Sequence, residues 1–209
     1  MTSVLIAGLL ALFFLSSSFL STPVSAQSTK LEPRGAELKD GTWVMSVGAG
    51  LGYPMGSTRM HFGIPYAVGG EAYYVPRPEY ALGLQVDRLL FMGGQGGGSS
   101  DATVITLVDR ANAAMGWEKT LLYALIGLGF AEVHASLPDG GLQHGAGPAL
   151  ALGVGVQSVY EGALGWAVEG RLLRASAGLP KLGMGGITVV VAQVKVNWKF
   201  TWAPSFFGQ

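Results

Sequence analysis

The last long segment of the chain, GITVVVAQVKVNWKF (186–200), alternates between polar and apolar side chains from Gln193 onward. A period of two residues is that of a β-strand, because successive side chains in a strand point to opposite faces. The two faces of this strand are therefore expected to meet different surroundings. Its polar face carries Gln193, Lys195, Asn197 and Lys199, and its apolar face carries Val194, Val196, Trp198 and Phe200.

Seven more segments of strand character, bounded by turn residues, precede this one. The connections after the first, third, fifth and seventh segments are long and rich in glycine, such as HASLPDGGLQHG, whereas the other three are short. An even number of strands joined alternately by short turns and longer loops is typical of a transmembrane β-barrel. The predicted strands cover residues 42–53, 65–75, 79–92, 102–115, 118–133, 146–160, 164–175 and 186–202.

The composition also favours a membrane environment. Charged residues make up 12% of the chain, where a soluble domain carries about 25%, and the mean hydropathy is +0.40. Net charge is zero, so the basic stripe of a nucleic-acid-binding protein is not expected, and the lack of cysteine excludes thiol chemistry. The best candidate for a membrane helix, TLLYALIGLGFAEV (120–133), is interrupted by glycines and reaches Glu132 too soon. A closed β-barrel is the other structure that a bilayer permits.

The N-terminus predicts export. An apolar stretch from Val4 to Leu15 is followed by small residues up to Ala26, as in a signal peptide cleaved after Ala26. The first residues contain no Lys or Arg, so a retained membrane anchor is the alternative. The predicted organisation is a signal peptide (1–26), a short periplasmic segment (27–40), a barrel (41–202) and a C-terminal tail (203–209).

Alternation assigns polar side chains to the barrel interior and apolar ones to its outer face. An eight-stranded barrel is just wide enough for side chains to fill, and inward glycines such as Gly48 and Gly155 would leave room for long neighbours. On the fourth strand Asp109 and Arg110 fall on opposite faces, so either a β-bulge changes the phase there or the boundaries differ. The predicted interior network consists of Glu71, Gln85, Asp87, Gln157, Glu169, Arg171, Gln193, Lys195 and Asn197.

Aromatic residues collect at the predicted strand ends, as in the two aromatic girdles of membrane barrels. Tyr53, Tyr66, Phe91 and Phe130 lie towards the predicted outer rim. All five tryptophans fall at the opposite, periplasmic rim. The predicted periplasmic girdle consists of Trp43, Tyr74, Tyr80, Trp117, Tyr160, Trp166, Trp198 and Trp202.

These features resemble the eight-stranded outer-membrane β-barrel family of the OmpA, OmpX and opacity-protein type. The resemblance covers essentially residues 41–202, through segments such as LLYALIGLGFA (121–131), WAVEGRLLRAS (166–176) and TVVVAQVKVNWKF (188–200). It implies an all-β, antiparallel, up-and-down transmembrane barrel in the bacterial outer membrane, monomeric and without cofactor. Its implied partners are outer-membrane lipid, lipopolysaccharide and the outer-membrane assembly machinery. Family members end in an aromatic residue, whereas this chain continues as APSFFGQ (203–209).

The same resemblance implies a structural or adhesion-like role, through four glycine-rich outer loops that contact an unspecified extracellular partner. A narrow solute pore is one alternative, and a soluble lipocalin-like barrel with reversed faces is another. A lipid A-modifying hydrolase is a third, because His134 and Ser136 resemble the His-x-Ser pair of the eight-stranded lipid A deacylase barrel, with Asp139 as the nearest acid of the predicted loop. No catalysis is expected by default. The three histidines fall on different predicted loops without ligand spacing, so no metal site is predicted.

Overall fold

The protein is described by a computed structural model that covers residues 38, 40–93, 99–114, 120–137, 139–158 and 163–201. A short helix α1 (Ser57–His61) lies between the first two strands, and a 3₁₀ helix (Pro180–Leu182) lies between the last two. Among the described residues, no helix is both long and apolar enough to cross a membrane. The eight strands are β1 (Thr42–Pro54), β2 (Pro65–Arg77), β3 (Tyr80–Phe91), β4 (Ser100–Ala114), β5 (Thr120–Ser136), β6 (Leu142–Ser158), β7 (Leu164–Ala175) and β8 (Ile187–Thr201).

Each strand pairs antiparallel with the next one in sequence, and β8 pairs with β1, so the sheet closes on itself. The closing register runs from Thr42 opposite Thr201 to Pro54 opposite Val189. The predicted eight-stranded, antiparallel, up-and-down barrel is therefore confirmed. The signal peptide, most of the predicted 27–40 segment and the C-terminal tail lie outside the described residues.

The two ends of the barrel differ in their connections. We call the end that holds Thr42 and Thr201 the base, and the opposite end the rim. At the rim, β1 and β2 are joined by 55–64, and β7 and β8 by 176–186, whereas 78–79 suffices between β2 and β3 at the base. The connection between β5 and β6 is shorter than predicted, at 137–141. The two strands continue pairing up to Ser136 opposite Leu142, so most of the predicted loop HASLPDGGLQHG is sheet.

The barrel interior has three layers, which alternation alone did not predict. An apolar layer at the base contains Leu38, Val44, Val75, Ala81 and Leu121, and the polar layer lies above it. Towards the rim the inward side chains become apolar again, and connections fold over them. This rim layer includes Phe62, Leu89, Phe91, Leu173, Leu179, Met184 and Val189. The charged interior is thus one layer between two apolar ones.

The outer face of the barrel is an apolar band. On β5 the outward side chains are apolar from Leu122 to Phe130, which is about 27 Å along a strand, before Glu132 follows. The strands of such barrels are tilted by about 40°, so this length spans about 21 Å along the membrane normal. That height is close to the apolar band about 25 Å tall that membrane barrels carry. On β8, Val194 is 61% exposed while Lys195 beside it is 4% exposed, so the predicted polarity of that strand is present in the fold.

Candidate functional site

The polar layer is centred on Lys195. Its ammonium Nζ lies 2.7 Å from Glu71 Oε2 and 2.9 Å from Glu169 Oε2, and it donates a hydrogen bond to each carboxylate. All three side chains are less than a tenth exposed. A buried charge is costly unless it is paired, and here one cation bridges two acids.

Arg171 forms the second centre of the layer. Its guanidinium donates to both carboxylate oxygens of Asp87, at 2.8 and 2.7 Å, in the bidentate geometry that suits an arginine–carboxylate pair. Its Nη2 also donates to Gln193 Oε1 at 2.7 Å, and its Nε lies 2.6 Å from Glu169 Oε1. Glu169 therefore connects Arg171 with Lys195.

Arg110 is the third cation of the layer and was left undecided by the sequence pattern. The β4 register is continuous with both neighbouring strands, so no bulge occurs, and Arg110 points inward. Its guanidinium lies over the ring of Tyr123 at 3.4 Å and donates to Gln157 Oε1. Asp109 points outward near the base, where its carboxylate is hydrogen-bonded to the Tyr80 side chain. The Tyr80 phenol of the aromatic girdle thus supplies a donor to Asp109 on the outer face of β4.

All nine residues predicted for the interior lie inside the barrel. Gln85 donates to Glu71 at 3.3 Å, and Gln157 accepts from Tyr73 at 2.9 Å, which joins both amides to the network. Asn197 is buried, but its side-chain amide has no hydrogen-bond partner among the described residues. The sequence prediction did not include Ser46, Tyr73, Asn112 and Tyr123, which also point inward and join the network.

Inward glycines provide the space that these long side chains occupy. A Cβ added at Gly48 would lie 2.6 Å from Lys195 Cγ, and one added at Gly155 would lie 2.5 Å from the Tyr123 hydroxyl oxygen. Glycine in a strand often marks such a close approach of a neighbouring group. Among the described residues of the layer the charges balance, because three carboxylates (Glu71, Asp87 and Glu169) face three cations (Arg110, Arg171 and Lys195).

Aromatic side chains encircle part of the base. Trp43 and Tyr74 lie on neighbouring strands with ring centroids 5.3 Å apart. Trp166 and Trp198 also point outward, at about 40% exposure, on β7 and β8. Trp117, Tyr160 and Trp202 lie outside the residues whose side chains are described.

At the rim, Tyr53, Tyr66 and Phe130 point outward as predicted. Phe91 was placed wrongly among these rim aromatics. It points inward and its ring centroid lies 4.8 Å from that of Phe62. Phe91 shares the inward phase of Asp87 on β3, four residues earlier, so the strand period itself requires this direction.

A second group of polar side chains lies on the outer face of the barrel near the rim. We call Asp101, Glu132, His134 and His144 the rim cluster. His144 Nε2 lies 2.7 Å from Glu132 Oε1, His134 Nε2 lies 3.5 Å from the same oxygen, and His134 Nδ1 lies 3.8 Å from Asp101 Oδ2. The sequence prediction placed the histidines on different loops without ligand spacing, whereas His134 and His144 lie opposite each other on paired strands.

Ser136 follows His134 on the same outward face of β5. Its hydroxyl donates to the backbone carbonyl of Ser99 at 2.7 Å, and its N–H donates to Ser100 Oγ at 3.1 Å. The acids that approach His134 are Glu132 and Asp101, and not Asp139, whose carboxylate accepts from the Gly141 N–H.

Several solved structures are similar to this barrel. Neisserial surface protein A is 11% identical with a TM-score of 0.62, and the match covers 77% of this chain and 98% of that chain. Ail, the attachment invasion locus protein of Yersinia pestis, is 13% identical with a TM-score of 0.53, covering 78% of this chain and 100% of that chain. Ail in complex with the heparin analogue sucrose octasulfate matches with 13% identity, a TM-score of 0.52 and the same coverage.

Comparison by sequence gives no match, either to a protein-family model or to a curated protein. The structural similarity, at these low identities, concerns the fold. The chain has the eight-stranded fold of outer-membrane β-barrels, as its alternation and alternating connections predict.

Proposed function

We propose that the chain is a monomeric protein of the bacterial outer membrane, inserted by the outer-membrane assembly machinery and surrounded by lipid and lipopolysaccharide. Its base faces the periplasm, and its rim faces the outside. Its bore is closed, and its role is structural or adhesive, through contacts that the rim connections make with an extracellular partner. The main observation behind this proposal is the filled interior, in which a polar layer lies between two apolar ones.

A closed bore follows from what fills it. The polar layer is a balanced network in which Lys195 and Arg171 are bound by buried carboxylates. Ions or solutes that crossed it would have to break these contacts. They would also have to pass the apolar side chains above the layer, including Phe62, Leu179 and Met184, which fold over the bore from the rim connections. This arrangement argues against a conducting pore. We therefore assign the proposed role to the surface that the rim presents outside.

The rim connections are attached to the barrel, which suits a contact surface. The N–H of Thr188 donates to Thr58 Oγ1 at 2.9 Å, and the N–H of Met55 donates to the Thr188 carbonyl at 2.8 Å, which fixes the first connection against β8. In the last connection, the N–H of Ser176 donates to the carbonyl of Pro148 on β6 at 2.9 Å, and the N–H of Leu179 donates to the Met184 carbonyl at 2.8 Å within the connection. A preformed surface loses less conformational entropy on binding than a flexible loop does.

The names of the similar proteins agree with a surface role. One is called a surface protein and another an attachment invasion protein, solved also with a heparin analogue. These descriptions apply to those proteins, and they support the same class of role for this chain.

Two measurements test the proposal. The purified chain in a planar bilayer should give no conductance above background, and reproducible channel steps would contradict the closed bore. Bacteria that produce the chain should adhere to cultured epithelial cells better than isogenic bacteria without it. A variant with Arg59→Ala and Lys181→Ala, two exposed rim residues, should adhere less while keeping the buried anchors. Equal adhesion with and without the chain would overturn the adhesive role.

The proposal includes no catalysis. The Ser136 hydroxyl is directed to the Ser99 carbonyl and not to His134, which differs from an activated serine nucleophile. Lipid A from cells that produce the chain should therefore keep its mass. Loss of an acyl chain that Ser136→Ala abolishes would replace this proposal with a hydrolase.

A further inference from the structure

We propose that Glu132, His134 and His144 form a binding site for one divalent transition-metal ion on the outer face of the barrel at its rim. The proposed surface role does not use this site, and the site does not depend on that role. It rests on the register of three strands and on the chemistry of the side chains that the register brings together.

The strand register fixes the positions of the ligands. His134 on β5 lies directly opposite His144 on β6 and opposite Asp101 on β4. Glu132 is two residues before His134, so it points to the same face of the sheet. Side chains on neighbouring strands are more precisely placed than side chains on loops, which favours a defined site.

The donor atoms are close enough for one ion. Ligand atoms of Glu132, His134 and His144 all lie within 4.8 Å of one another. A tetrahedral Zn²⁺ site with bonds near 2.0–2.1 Å has its donor atoms about 3.3 Å apart. The Nε2 of His134 is already 3.5 Å from Glu132 Oε1, whereas His144 Nε2, at 2.7 Å, hydrogen-bonds to that oxygen and would have to move slightly apart. The centroids of the two imidazole rings are 5.0 Å apart, so side-chain rotation is sufficient.

The ligand types indicate the class of metal. Two imidazoles and one carboxylate suit Zn²⁺, Co²⁺, Ni²⁺ or Cu²⁺, whereas Mg²⁺ and Ca²⁺ prefer oxygen ligands throughout. The three side chains are each about half exposed, which leaves room for water in the remaining coordination positions.

Asp101 is placed to support the site as a positioning residue. Its Oδ2 faces the Nδ1 of His134 at 3.8 Å, while the Nε2 of the same ring faces Glu132. A carboxylate that accepts the other ring N–H of a ligating histidine fixes its tautomer and orientation. Arg88 lies 3.4 Å from the same Asp101 oxygen and holds that carboxylate from β3.

The site lies where an aqueous ion can reach it. Glu132 and His134 directly follow Phe130, the last large apolar residue on the outer face of β5. The ligands therefore begin at the upper edge of the apolar band and not within it, so binding requires no passage of an ion through hydrocarbon.

Metal titration of the tag-free, folded full chain in detergent micelles tests the proposal. Isothermal titration with Zn²⁺ alone should show saturable binding with a stoichiometry near one. Glu132→Gln and His144→Gln should each weaken it strongly, and Asp101→Asn should weaken it by about tenfold, because the carboxylate that orients the His134 ring is lost. His61→Gln removes the histidine of α1, outside the rim cluster, and should leave the affinity unchanged.

Co²⁺ provides a readout of the ligands themselves. Its visible d–d absorption should appear on binding and change in His144→Gln but not in His61→Gln. Heat-modifiable migration in a gel checks that each variant is a folded barrel. Absence of saturable Zn²⁺ binding by the wild-type chain would overturn the proposal, as would an affinity that His144→Gln leaves unchanged.

Discussion

Replacing Arg171 by methionine removes the cation that organises one half of the polar layer. The wild-type guanidinium donates twice to Asp87 and contacts Glu169 at 2.6 Å. Methionine has similar reach but no charge or donor. In the variant, Glu169 keeps Lys195 at 2.9 Å and the Tyr123 hydroxyl. Among the described residues Asp87 keeps a single donor, the Gln193 amide at 3.2 Å. The consequence is a buried carboxylate without a cation.

Removal of one partner from a buried ion pair costs about 3–5 kcal/mol. Arg171 and Asp87 are both 1% exposed in their side chains, so solvent screening does not reduce this figure. At about 1.4 kcal/mol per factor of ten, the folding equilibrium should shift by a factor of about 140 to 3,700. Replacing Asp87 as well, as Asp87→Leu with Arg171→Met, should recover much of the loss, because no unpaired charge remains at that position.

Urea unfolding in phospholipid vesicles, followed by the fluorescence of the five tryptophans, measures this difference. The matched control is Arg174→Met, three residues further along β7, where the side chain is exposed on the outer face. It should change the free energy of unfolding by less than about 0.5 kcal/mol. An Arg171→Met variant as stable as the control, or a double variant less stable than the single one, would show that Arg171 does not stabilise the buried Asp87 carboxylate.

Two further predictions concern the outer face and the packing of the bore. Val194→Arg places a charge in the middle of the apolar band and should destabilise the barrel in lipid by about 2–4 kcal/mol, whereas Thr188→Arg near the rim should cost about 0–1 kcal/mol. Equal effects in urea unfolding would show that the band is not in hydrocarbon. Gly155→Ala would bring a Cβ to 2.5 Å from the Tyr123 hydroxyl oxygen and should cost about 1–3 kcal/mol. Gly170→Ala, with nothing within 4 Å, is its control and should be near neutral, so equal losses would count against a tightly filled bore.

The fold was predictable because the same period of two continues through every strand. On β7, polar Glu169 and Arg171 alternate with apolar Val168 and Leu172, which predicted both the strand and the direction of each side chain. The strand has the predicted bounds. The strand signal of each segment is weak alone, and the even number of segments with alternately short and long connections strengthened the prediction of a barrel.

The strand ends at the rim were harder to predict because they contain residues typical of turns and yet pair as sheet. The segment from His134 to His144 contains Pro, Asp and Gly, which are turn signals, yet all but 137–141 is sheet. Pairing between β5 and β6 continues the strands through these residues, although the polarity of β5 has reversed there: outward His134 and Ser136 are polar, and inward Ala135 is apolar and buried. The rim cluster depends on that register, so it could not be seen before the pairing was known.

The apolar layers of the interior escaped prediction for a related reason. A membrane barrel needs an apolar outside, but its inside can be polar or apolar, and sequence alternation is silent where both faces are apolar. Val189 and Val191 on β8 are buried inward next to outward Val190, so that stretch reads as a continuous apolar run. The positions of Phe62, Leu179 and Met184, in connections distant in sequence, show that this inner surface is covered.

Lipid exposure of alternate residues along β8 is the most direct test of the whole arrangement. The chain contains no cysteine, so single cysteines introduced at 189–198 can each carry one nitroxide label in lipid vesicles. Collision with lipid-soluble oxygen should be high at even positions such as Val194 and Val196. It should be low at odd positions such as Gln193 and Lys195, with a strict period of two. A reversed phase, or equal accessibility at neighbouring positions, would contradict a barrel with its apolar side chains in lipid and its charges inside.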